Sequence, residues 1–120
     1  MNQIIPTHVL RVLFALPFFV FGALHFMNAE RMKALVPAYF PGDIIWVYIT
    51  GIIFILSALT FTINKYAKVG GYLLAFVLLV FILTIHLPAL MNGNQMALGG
   101  LLKDFALMAA AMFIANFSAR

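Results

Sequence analysis

The sequence predicts an all-α polytopic membrane protein: an antiparallel bundle of four transmembrane helices, with a short interfacial segment between the first and second. Three observations lead there. Of 120 residues, 66% are hydrophobic and only 8% charged, against about 25% charged in an average soluble domain. The 13 Phe and the aliphatic excess are more than so short a chain could hide from water, because small domains bury proportionately less of their surface. Finally, the charges punctuate long apolar runs instead of lining one face, which is how lipid-spanning chains place them.

The first span is predicted over 8–27. Its n-region carries little charge and no A-x-A site follows, so it reads as a retained helix and not a cleaved leader. Pro17 lies at its centre, where it removes one backbone hydrogen bond and crowds the carbonyl of Leu13, predicting a kink. Residues 28–43 read as a membrane-surface segment. Asn28 is placed to cap a short helix whose Met32, Leu35 and Val36 share a face, and Pro37 ends it.

The second span is predicted over 44–63, with Asp43 as N-cap and Trp46 and Tyr48 at the depth of an aromatic belt. Thr50, Ser57 and Asn64 recur every seven residues and predict a weakly polar stripe facing another helix. A basic turn with Lys65 and Lys68 leads to the third span, 69–87, which closes on His86 and Pro88. Asn92-Gly93-Asn94 predicts a turn. The fourth span, 101–117, then carries Lys103 and Asp104 in its first turn and small-residue pairs at Ala106/Ala110 and Ala111/Ala115. The whole chain, 1–120, reads as one transmembrane domain.

Basic residues set the expected orientation. Arg11, Lys65, Lys68 and Arg120 lie on the N-terminal side, against Arg31, Lys33 and Lys103 opposite, so N-in and C-in is expected, in a bacterial cytoplasmic membrane. The formal charge of +4 comes without a basic stripe and interleaved aromatics, so the expected partner is the lipid bilayer and not nucleic acid. With no Cys, the chain has no disulfide, no C-x-x-C redox pair and no C-x-x-C-H haem attachment.

Threading the spans up and down gathers His25, His86, Lys103 and Asp104 at the outer mouth, beside Glu30, Arg31 and Asp43. Ionisable groups at membrane depth are costly and tend to face inward and pair. Arg11 and His25, fourteen residues apart, fall on one side of the first helix. A polar pocket of His25, His86 and Asp104 is therefore expected, with Lys103 or Arg31 as countercharge and Glu30 near His25. Plainer roles compete. His25 can cap its helix C-terminus, His86 can bond a neighbouring helix, and Asp104 can sit in a favourable helix dipole. Lys103 and Arg11 can snorkel, and the 7 Met can simply pack. The scattered ligands show no metal-binding spacing, so no metal is expected. Two histidines on different helices can grip a haem, but a quinone held by a histidine in an aromatic pocket demands less.

The same residues resemble those of the DoxX-like family of small four-helix membrane proteins. The pieces are Arg11, then Gly22-Ala23-Leu24-His25-Phe26, the stretch from Met32 to Pro37, and Tyr48-Ile49-Thr50-Gly51. His86-Leu87-Pro88-Ala89 and Leu102-Lys103-Asp104-Phe105-Ala106-Leu107 complete the order across nearly the whole chain. The resemblance implies a four-helix membrane bundle; Arg11, Pro17, Gly51, Pro37 and Pro88 are expected to be structural. It also implies an accessory role beside a quinone-linked membrane oxidoreductase, since the family takes its name from a subunit associated with a quinol oxidase or a thiosulfate–quinone oxidoreductase. Relatives linked to membrane-protein assembly imply a non-catalytic interaction protein as the alternative, with homo-oligomers a further expectation; a small transporter comes third. Many such relatives carry glutamate where this chain has Phe54, so chemistry needing that carboxylate has no group there.

Overall fold

The computed structural model describes residues 4–118. Arg120, counted in the orientation above, lies outside them. Among the described residues there is no strand, and four helical rods are long and apolar enough to cross a membrane. They are α1 (Thr7–Met27), α3 (Asp43–Ile63), the rod Ala67–Met91, and α6 (Met96–Asn116). A four-residue α2 (Ala29–Met32) and a 3-10 turn (Lys33–Leu35) lie between the first two. The third rod is α4 (Ala67–Phe81), a π turn (Ile82–His86) and α5 (Leu87–Met91) in one line.

Each helix turns a heptad seam inward. On α1 the buried residues are Arg11, Ala15, Phe18 and Gly22, spaced by four, three and four. On α3 they include Val47, Gly51, Phe54, Ala58 and Phe61 in the same rhythm. Alternation of three and four keeps one stripe facing a neighbour along the whole helix. Outside the seams, Leu, Ile, Val and Phe side chains stand exposed around the rods, and no more than 33% of any spanning window is buried within the protein. Only hydrocarbon can cover that surface, so this is an integral membrane protein.

The helices form a row. α1 packs on α3, α3 on α4, and α4 on α6, while α1 and α6 make no comparable backbone approach. Two of the seams are close because glycine permits it. A Cβ on Gly22 would lie 2.9 Å from the Gly51 carbonyl oxygen, and one on Gly71 would lie 2.7 Å from that of Ala111. Ala111 and Ala115 form the expected small-residue seam, but Ala106 is exposed and takes no part. An aromatic column of Phe14, Phe18, Phe54, Phe61 and Phe81 fills the centre.

Several boundaries differ from expectation for identifiable reasons. Pro88 does not end the third span. The Leu87 amide reaches back five residues to Ile82, and the wide π turn makes room for the ring and its missing amide. The helix therefore continues to Met91. α6 starts at Met96, well before 101, because Asn94 caps it: its Oδ1 accepts from the Met96 amide at 3.1 Å and its carbonyl from the Ala97 amide at 3.1 Å. Asn28 does not cap α2; its side-chain amide turns back to the Leu24 carbonyl at 3.2 Å and closes α1. Asp43 is the first residue of α3 and not its cap, with Oδ1 accepting from the Ile44 amide at 2.6 Å. Pro17 sits within α1 on its exposed face, and the helix runs through it to Met27.

Arg11 does not snorkel. Left-handed Asn64 ends α3, and the amides of both Asn64 and Lys65 converge on the Thr60 carbonyl. The carbonyl of Phe61 loses its helical partner in this arrangement. Arg11 Nε donates to it at 3.0 Å, and the same guanidinium donates to His8 Nδ1 at 3.0 Å. One buried cation thus ties α1 to the far end of α3.

Candidate functional site: an apolar cavity with a polar end

At the opposite end of the molecule the space between α1 and α6 is a cavity of about 480 Å³. Its walls come from all four rods: Phe18, Phe21 and His25 on α1, Trp46 to Phe54 on α3, Phe81 to His86 on the third rod, and Lys103, Asp104 and Leu107 on α6. From Trp46 to Phe54 it runs about 12 Å along the helix axis, at 1.5 Å per residue. The interfacial segment roofs it with Met32, Leu35, Val36, Pro37 and Phe40. That roof is held by the Trp46 indole, which donates to the Pro41 carbonyl at 2.7 Å and stacks at a tilt on Phe40. The lining is mostly apolar, and its polar atoms are few.

The structure brings His86 and Asp104 together. His86 Nε2 lies 2.8 Å from Asp104 Oδ2. An ionised carboxylate can only accept, so the imidazole donates. Asp104 is 4% exposed. Because α6 begins at Met96, it stands about 12 Å inside that helix, too deep for the helix dipole to explain it. Two local features make the pairing possible. At 100° per residue His86 would drift about 80° from Leu78, and the intervening π turn takes out much of that drift. Gly100 then leaves room for the ring, since a Cβ there would lie 3.0 Å from the imidazole. Gly100 and Asp104, one turn apart, are slot and anchor for one histidine. That Gly-x-x-x-Asp spacing is the sequence signal for the pairing.

Lys103 is the countercharge: its ammonium lies 3.7 Å from Asp104 Oδ1 and 5.9 Å from the centre of the Phe21 ring across the gap. His25 lines the same cavity but does not join the pair. Its Nδ1 donates to the Phe21 carbonyl at 2.6 Å, and its ring stands edge-on to Phe54, centroids 5.1 Å apart. Gly51 lets it sit there, a Cβ at that position being 2.9 Å from that of His25. Phe54 is buried and packs against Phe18, Phe21 and Phe81 as well.

Glu30 and Arg31 are not part of the site. On the short α2, Ala29 and Met32 turn inward at i, i+3, which leaves the two charged residues outside. Glu30 pairs instead with Lys33 at 3.0 Å and holds that ammonium above its ordinary range. Sequence reasoning also missed the roof and the threonines of the wall, Thr50 and Thr84. Trp46, read as a belt residue, faces the cavity as well.

No curated protein and no solved structure matches the chain. Residues 14–109, most of its length, match a family model described as a domain of unknown function, DUF8561, and the chain belongs to that family.

Proposed function

We propose that this protein binds an amphipathic ligand of the quinone class and serves as an accessory to a quinone-linked redox system. One observation carries the reading: His25, His86, Lys103 and Asp104 converge on a single, largely apolar cavity that reaches to mid-bundle. Its volume falls in the range of about 300–1,000 Å³ common to small-molecule sites, where few polar groups orient a mostly apolar ligand. The aromatic wall of Phe18, Phe21, Phe54 and Phe81 suits a flat head group, and the gap between α1 and α6 suits an apolar tail. The resemblance to DoxX-like proteins points the same way. A haem fits less well, because His86 Nε2 is committed to Asp104 and His25 Nδ1 to a carbonyl.

On this reading the protein binds and positions its ligand, and the partner membrane oxidoreductase carries the electrons. Lys65 and Lys68 set the turn between α3 and α4 on the cytoplasmic side of a bacterial inner membrane, with both termini there too. The chain's one tryptophan, Trp46, lines the cavity and is a built-in reporter. In lipid nanodiscs, decylubiquinone should quench it saturably with a stoichiometry near one, and Asp104→Asn should weaken the binding. Quenching that merely follows the quinone content of the lipid would refute the proposal.

A further inference from the structure

The polar atoms of the cavity are nearly all hydrogen-bond acceptors. Thr50 Oγ1 has given its proton to the Trp46 carbonyl at 2.8 Å, and Thr84 Oγ1 has given its own to Val80 at 2.7 Å. Trp46 Nε1 is spent on Pro41. His25 donates through Nδ1 to Phe21, so in the uncharged ring Nε2 carries only a lone pair. No protein group among the described residues bonds that Nε2, and it is not occluded. His86 Nε2 is likewise committed to Asp104, and the Nδ1 edge of its ring lies over Gly100. Among the described residues of the wall, the donor with protons to spare is Lys103, which sits at the rim with its side chain 59% exposed and is drawn towards Asp104.

An acceptor facing a ligand carbonyl gains nothing and forfeits its water, whereas facing a hydroxyl it gains a hydrogen bond. We infer that the cavity selects hydroxyl-bearing amphiphiles over their carbonyl or ether counterparts, and so takes the reduced member of a quinone couple, with His25 Nε2 as a principal acceptor. This rests on the proposed quinone-class site and adds to it a direction: the protein holds quinol and releases quinone. The logic is donor–acceptor counting, so it extends to any phenolic lipid of the same shape.

The test compares two matched pairs on the full chain in nanodiscs at about pH 8, above the ordinary histidine range. One pair is decylubiquinol against decylubiquinone, kept anaerobic. The other is 4-decylphenol against 4-decylanisole, which differ in the donor but undergo no redox change. Isothermal titration calorimetry should show the hydroxyl member of each pair binding about tenfold more tightly. His25→Phe keeps a ring against Phe54 and removes the acceptor, so both ratios should fall towards one. Equal affinities within either pair, or a preference for the ether or quinone, would overturn the inference while leaving the cavity reading standing. Binding of the phenol pair alone would overturn the quinone assignment. If none of the four binds, both readings fall. A ratio that survives in His25→Phe overturns the role given to His25.

Discussion

Remove His86 and the bundle keeps a carboxylate with almost no access to water. Asp104 is 4% exposed, and its imidazole partner is 2.8 Å away. Breaking a buried pair from one side costs about 3–5 kcal/mol, because the remaining charge is uncompensated. Lys103, 3.7 Å away but mostly exposed, softens this towards the lower figure. Removing Asp104 instead leaves an imidazole that can be neutral, for about 1–3 kcal/mol. His86→Leu should therefore destabilise more than Asp104→Leu. The double variant, with neither charge nor orphan, should be more stable than the sum of the two single losses implies, by about 2 kcal/mol or more. Reversible unfolding in mixed dodecylmaltoside and dodecyl sulfate micelles, followed by circular dichroism, measures all three. Additivity within about 0.5 kcal/mol would show that the two side chains do not depend on each other, and the polar end of the cavity would lose its physical basis.

Other perturbations have equally definite outcomes. Arg11→Leu strands the Phe61 carbonyl and should cost about 1–3 kcal/mol in the same assay; Arg11→Lys should recover only part, lacking a fork that can serve both Phe61 and His8. Gly51→Ala drives a methyl against His25 and the Gly22 carbonyl. It should cost about 1–3 kcal/mol and also weaken decylubiquinol binding by displacing His25. Glu30→Gln touches only an exposed pair and should leave both stability and binding unchanged; a clear effect on binding would return that residue to the site. A reporter active only outside the cytoplasm, fused after Ser118, should be silent, and strong activity would reverse the orientation.

The spans were legible because lipid imposes a simple code: about twenty apolar residues bounded by charge or turn chemistry. What sequence patterns could not supply was register within a span. Pro88 reads as a stop only if the helix keeps an α register, and the π turn before it removes that premise. Asn94 reads as loop until its side chain is seen to cap α6, and this single cap moved Asp104 from a first turn to the interior. The pairing of His86 with Asp104 was foreseeable from depth alone. The separation of His25 from that pair was not, since it depends on a bond to its own helix. The outward placement of Glu30 and Arg31 is not legible in sequence, because a four-residue helix has too little periodicity to declare its inner face, which Ala29 and Met32 decide.

Four helices joined in a row have three backbone seams, one fewer than a closed ring. Among the described residues, the gap between α1 and α6 is bridged by side chains such as Lys103 over Phe21. Any molecule that seats there becomes a structural member of the bundle, and mass action then links its supply to the survival of the fold. A ligand at a hundred times its dissociation constant adds about 2.7 kcal/mol of stability, a large share of what holds a small protein together. Cells depleted of the ligand would hold less of this protein even with unchanged synthesis, as membrane proteases remove the emptied bundle. The steady-state amount of the chain would thus be a gauge of the ligand pool, readable by immunoblot without any assay of activity.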